Sequence, residues 1–267
     1  MTDTPTDKPA AIPIPAATIL LLRDGSAGLE VFMVVRHHQI DFASGALVFP
    51  GGKVDPQDSD PQVSARVGAY PGATAEQSRL RTAAIREAFE ESGILLARHA
   101  DGSPPGAGQQ LDDWRNRLND HSLSWSDLLV GGDLQLACDA LLHYGHWITP
   151  PMMPKRFDTH FYLARVPADQ IAAHDGGENV DSVWIQPQQV VEDAAQGKRT
   201  VIFPTLSNVV RLAQYRGVAE AFAATAATPV LPILPWTEKR ADGGWLCIRQ
   251  DAGYSLNEQA FKGGRPG

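Results

Sequence analysis

The chain has 267 residues, 43% hydrophobic and 20% charged, which suits one sizeable globular domain with room for an appendage. Its formal net charge of −8 argues against a general nucleic-acid binder, which would present a basic face. The two cysteines, Cys138 and Cys247, lie far apart and form no C-x-x-C pair, which argues against a disulfide framework or a zinc-thiolate site and fits a cytoplasmic setting.

Residues 1–14 are rich in Thr, Pro and Asp and lack the apolar run of a signal peptide, so they read as a disordered lead-in. No apolar stretch is long enough to span a membrane, and no membrane partner is expected. Residues 16–22 and 31–35 are compact apolar runs around a Gly-containing turn, a hairpin signal. Residues 46–49 form a short strand that stops at Pro50-Gly51-Gly52. Residues 55–74, with Pro56, Pro61, Pro71, Gly68 and Gly72, read as loop. Helical character runs from about Ala75 to about Arg98. After a Gly/Pro-rich stretch, residues 111–118 and 122–130 suggest two short helices. Strands are expected at 145–148, 159–166 and 180–186, and helices at 187–196 and 206–215. A last hairpin is expected between residues 229–236 and 245–249.

Glu87, Glu90 and Glu91 are spaced i, i+3, i+4, which places three carboxylates on one helix face. Taken alone, such a face is more often solvated surface. Mutual repulsion would destabilise it, and a hard cation such as Mg²⁺ or Mn²⁺, which prefers oxygen ligands, would offset that cost. Arg86 stands beside Glu87, Gly93 follows closely, and Gly51-Gly52-Lys53 lies upstream.

Residues 86–94, Arg-Glu-Ala-Phe-Glu-Glu-Ser-Gly-Ile, resemble the second half of the Nudix box, R-E-U-x-E-E-x-G-U with U apolar. Gly52, followed by five residues and then Asp58, resembles its first half, G-x5-E, with Asp in place of Glu. Twenty-seven residues, Ser59 to Ile85, separate the halves, a far longer gap than the family pattern has. An insertion of this kind marks the coenzyme A diphosphatase-like branch. Residues 36–52 resemble that branch, as do Trp147-Ile148-Thr149-Pro150 and residues 155–162.

The resemblance implies a Nudix-type α/β/α sandwich with a mixed central sheet. Its domain would cover residues 15–217, with insertions at about 55–74 and 101–132 and a C-terminal hairpin extension over 218–267. It implies a small-molecule diphosphate substrate, coenzyme A or acyl-coenzyme A first, with ADP-ribose, NADH or a non-catalytic binding module as alternatives. A homodimer is compatible with it. The implied metal ligands are Glu90, Glu91, Glu87 and the Gly51 carbonyl. Arg86 would hold Glu87, which is a ligand or the general base, and Glu178 is a further candidate base. Asp58 would sit near the metal or tie the loop to the helix. Arg36, Lys155 and Arg156 are the candidate phosphate contacts. His143 and His146 invite a zinc reading, but the sequence offers no third ligand, and they read as structural.

Overall fold

The computed structural model describes residues 10–36, 45–68, 70, 72–174 and 179–261. In chain order the strands and helices begin with β1 (Ile14–Gly25), β2 (Gly28–Arg36), β3 (Leu47–Val48), β4 (Gly51–Lys53), α1 (Pro61–Ser64) and α2 (Ala75–Ser92). They continue with β5 (Ala97–Arg98), α3 (Gln109–Asn119), α4 (Trp125–Gly131), β6 (Gln135–Leu136), β7 (Leu142–Ile148), β8 (Phe157–Arg165) and β9 (Asn179–Ile185). The last are α5 (Pro187–Ala195), α6 (Phe203–Leu212), α7 (Val218–Ala226), β10 (Pro232–Ile233), β11 (Trp236–Arg240), β12 (Gly243–Cys247) and β13 (Glu258–Phe261). No described helix is long and apolar enough to cross a membrane.

An eight-stranded mixed sheet organises the molecule, in the order β10-β7-β8-β1-β2-β3, with β4 also paired to β1 and β9 to β2. β1 lies parallel to β8 and antiparallel to β2. The β1 run Ile19 to Leu22 is fully buried. That follows from a sheet covered on both faces, where inward positions alternate between two cores. Ala17, Ile19 and Leu21 pack with α2, α3 and α4 in one core, while Leu20 and Leu22 pack with α5, α6 and α7 in the other. The layers are those of an α/β/α sandwich, as expected.

Several expectations need correction. α2 begins where expected, at the Thr74–Gln77 capping box, but ends at Ser92 rather than near Arg98. Gly93 takes φ 76 and closes the helix through its N–H to Phe89 O. The apolar residues beyond it, Ile94 to Leu96, continue the hydrophobic pattern without the helix and are buried. Residues 55–74 are not plain loop. Asp55 caps a single helical turn at Pro56–Ser59 and Asp60 caps α1. Each of these turns has Pro at its start, where a missing N–H costs nothing. At the C-terminus, β11 and β12 form a hairpin extended by β13, but residues 232–233 leave it to join the main sheet beside β7. α7 was not anticipated. Val218, Ala221, Ile233, Leu246 and Tyr254 all enter the second core, so the extension is built into it.

Candidate active site

Arg86 is the hub of the site. Its side chain is 5% exposed and serves four acceptors. Nε and Nη2 donate to the two oxygens of Asp58 at 2.8 and 3.0 Å, a bidentate pair. Nη1 donates to Glu87 and to Glu90, each at 2.9 Å, and Nη2 also donates to Lys53 O at 3.0 Å. Asp58 in turn accepts from Asp55 N–H at 2.8 Å. Asp58 therefore ties the inserted loop to α2, and a carboxylate one methylene shorter than Glu suits that position against the guanidinium.

The Gly51–Gly52 turn closes the other side. Gly51 N–H donates to Glu91 Oε2 at 3.1 Å. A Cβ on Gly51 would lie 2.6 Å from Ala17 O, so the backbone approach to β1 requires glycine there. A Cβ on Gly52 would lie 2.6 Å from Glu87 Oε1, so the missing side chain makes the space that Glu87 occupies.

Burial pushes Glu87 up to about 7, against the pull of Arg86 and helped by the charge of Glu90. Burial raises Glu90 as well. Burial works against the Arg86 charge, yet its bond to Asp58 and the charges of Glu87 and Asp58 hold its pKa above the ordinary arginine range. Three carboxylates thus share one guanidinium, and the carboxylate of Glu91 lies beside them against the Gly51 turn. An all-oxygen donor set with surplus negative charge fits a hard divalent cation.

The expected phosphate contacts do not gather here as a set. Arg36 lines a cavity of about 170 Å³ on the opposite face of the sheet, beside Gly51 and Thr18. Trp147, Met153 and Phe161 line the same cavity. Arg156 is buried and donates to Thr149 O at 2.9 Å and Ala11 O at 2.7 Å, so it braces backbone and does not face the cavity. The Lys155 Nζ lies 5.5 Å from the centre of the Phe157 ring, and Lys155 is exposed. Glu178 lies outside the described residues.

A family model described as the NUDT19 Nudix domain matches residues 69–212, just over half of the chain. The chain belongs to this Nudix family. A Caenorhabditis elegans protein named putative nudix hydrolase 7 is 29% identical over 187 residues, covering 70% of this chain and 57% of that protein. The human acyl-coenzyme A diphosphatase NUDT19 is 28% identical over 174 residues, covering 61% of this chain and 45% of that protein. The chain thus spans about half the length of these curated relatives. The crystal structure of a NUDIX hydrolase from Alicyclobacillus acidocaldarius superposes with a TM-score of 0.66 at 25% identity, covering 80% of this chain and 96% of that one. The match begins after the Gly51–Gly52 turn, so the first half of the Nudix box rests on the geometry above.

One cluster on this Nudix fold was missed from sequence. His143 and His146 on β7 do have further partners, Asp158 and His160 on β8. His146 Nε2 lies 2.5 Å from Asp158 Oδ1, and His160 Nδ1 lies 3.0 Å from His143 Nε2. Burial pushes His143 down to about 3, and burial with the neighbouring His146 pushes His160 down to about 4. The signal available in sequence was the i, i+2 spacing of Asp158 and His160, which puts both on one face of a strand. What joins them to β7 is a register that sequence does not show.

Proposed function

We propose that this chain hydrolyses a diphosphate bond in coenzyme A or an acyl-coenzyme A, with Mg²⁺ or Mn²⁺ held by Glu87, Glu90 and Glu91 and by the Gly51 carbonyl. The observation that carries this reading is the position of Gly51. Its N–H meets Glu91, and it also lines the cavity on the far side of the turn. A diphosphate at the carboxylates would therefore have an apolar chamber next to it, and that chamber suits a long, weakly polar arm of the substrate. The similarity to an acyl-coenzyme A diphosphatase points the same way.

A cation held there would supply an acidified water and screen the phosphate oxygens. Arg86 fixes the rotamers of Glu87 and Glu90 by bonding both from one nitrogen. Glu87 would serve either as a further ligand of that cation or as the group that accepts a proton from the attacking water. Glu178 is the other candidate for that proton. Arg36, which lines the same cavity as Gly51, is the candidate phosphate contact.

The test is a panel of coenzyme A, acetyl- and longer acyl-coenzyme A, ADP-ribose and NADH, each with Mg²⁺ or Mn²⁺ and products resolved by chromatography. Release of 3′,5′-ADP from the coenzyme A substrates is the expected result. Brisk cleavage of ADP-ribose or NADH with none of coenzyme A would reassign the substrate. Absence of turnover across the whole panel would sink the hydrolase reading.

A further inference from the structure

β7 and β8 pair so that His146 stands opposite His160 and Ile148 opposite Asp158. Directly opposed residues share a face, and Asp158 is two residues from His160, so His146, Asp158 and His160 converge on one side of the sheet. Among the described residues, this trio offers three ligand atoms that all lie within 4.8 Å of one another. We propose that His146, Asp158 and His160 form a second cation site, distinct from the carboxylates of α2, that takes a first-row transition ion of the Zn²⁺ or Co²⁺ kind.

The chemistry of the donors sets the class. Two imidazoles and one carboxylate are borderline ligands suited to zinc and its neighbours, whereas Mg²⁺ takes oxygens and water. Zinc bonds of about 2.0–2.1 Å place tetrahedral ligand atoms about 3.3 Å apart. The present separations bracket that value: 2.5 Å from His146 Nε2 to Asp158 Oδ1, and 4.0 Å from His160 Nε2 to Asp158 Oδ1. Small side-chain rotations reconcile the two. Asp158 has room to turn, with a side chain 38% exposed, and the partial exposure of the trio leaves a fourth position open to water.

His143 supplies the remaining element. A ligating imidazole is normally oriented by a hydrogen bond through its other nitrogen. His160 Nδ1 meets His143 Nε2 at 3.0 Å. With that proton on His160 Nδ1, its Nε2 carries the lone pair, and Nε2 is the atom that faces Asp158. The rings of His146 and His160 are stacked with centroids 4.0 Å apart, which holds the two imidazoles side by side on one face of the sheet.

The site shares a face with the Nudix carboxylates without touching them. Gly52 pairs with Ala17, and Ala17 pairs with His160. Two strand spacings of about 4.8 Å separate the backbone of the turn from that of His160.

The experiment uses the full chain carrying Glu91→Gln, stripped with chelator and titrated with Co²⁺ while visible ligand-field absorption and calorimetric heat are recorded. One equivalent should bind with the intense absorption of a low-coordinate nitrogen-containing site, and excess Mg²⁺ should not displace it. His160→Ala and Asp158→Asn should each weaken binding at least tenfold. No absorption with the parent chain, or affinity unchanged in both variants, would overturn the proposal. Because His160→Ala could fail to fold, histidine NMR of the otherwise native chain gives an independent reading. Co²⁺ should broaden the ring signals of His146 and His160 and leave the half-buried His99, near β5, sharp; broadening of His99 alone would reject the site.

Discussion

Two groups of ionisable side chains occupy one face of the same sheet, and they are built in opposite ways. The carboxylates of α2 come from one helical turn and a half, and a single buried arginine organises them. The histidine and aspartate group comes from two strands and depends on their register. The first is anionic, rich in oxygen and crossed by Arg86; the second has mixed nitrogen and oxygen donors and, among the described residues, no Arg or Lys side chain hydrogen-bonded to it. Proximity on one face therefore does not make them one site. Each selects a different kind of cation, and only the helical group adjoins the Gly51 turn that opens to the apolar cavity.

The sharpest way to break this contrast is to remove the hub. Arg86→Ala leaves Asp58 buried without its partner and Glu87 facing Glu90 uncompensated. Breaking a buried pair in this way costs about 3–5 kcal/mol. A large fall in the urea midpoint is expected, together with loss of turnover. A midpoint within experimental error of the parent would mean that the acids on α2 do not depend on Arg86. Next comes Glu91→Gln, which keeps shape and the contact from Gly51 N–H but removes charge. Loss of an outer-shell partner alone weakens metal sites by about 10–100-fold, so a direct ligand should cost turnover at least about 100-fold. The melting temperature should scarcely move. Activity equal to the parent would transfer the chemistry away from α2 and make the strand cluster the first place to look.

The contrast also explains what sequence could and could not reveal. The helical site was legible because its spacing is local: Arg86, Glu87, Glu90 and Glu91 meet on any helix, and Gly93 marks the end. The hairpin of β1 and β2 and the layered fold were legible for the same reason, since apolar runs and turns are local signals. Asp58 was ambiguous, because its role depends on Arg86, twenty-eight positions away, reaching it with two bonds. Arg156 was picked as a phosphate contact because its charge is visible in sequence, while its carbonyl partners, Thr149 and Ala11, are not. The end of α2 was placed too late because Ile94 to Leu96 prolong the apolar pattern although Gly93 has already turned the chain. His146 seemed to lack ligands because cross-strand partners follow register, and register is a property of the whole sheet.

A titration separates the two groups further. Burial holds Glu87 at about 7, above its ordinary value of 4.5, so in metal-free protein its contribution to stability is full below 4.5 and is lost as pH rises through 7. Cation binding requires the deprotonated carboxylate and reverses that loss. The rise in melting temperature on adding Mg²⁺ should therefore be larger at pH 8 than at pH 5, and at a hundredfold excess over Kd it corresponds to about 2.7 kcal/mol. His143 and His160, held neutral down to about 3 and about 4, would add no such dependence over that interval. An equal Mg²⁺ effect at both pH values would contradict carboxylate ligation by Glu87.

The smallest expected effect tests the space beside Glu87. In Gly52→Ala the added Cβ falls 2.6 Å from the Glu87 carboxylate, the movable end of a side chain rather than backbone. Glu87 can swing aside at a folding cost of about 1 kcal/mol, the low end for an overpacked site. It cannot do so and keep both its bond to Arg86 and its place against the turn. The expected outcome is about a tenfold fall in kcat, equivalent to about 1.4 kcal/mol of transition-state stabilisation, with KM for the diphosphate little changed. A rise in KM at constant kcat would instead mean that Gly52 shapes the substrate cavity. A variant with both constants unaltered would show that the position of Glu87 is immaterial, leaving Glu90 and Glu91 to carry the chemistry of the helix.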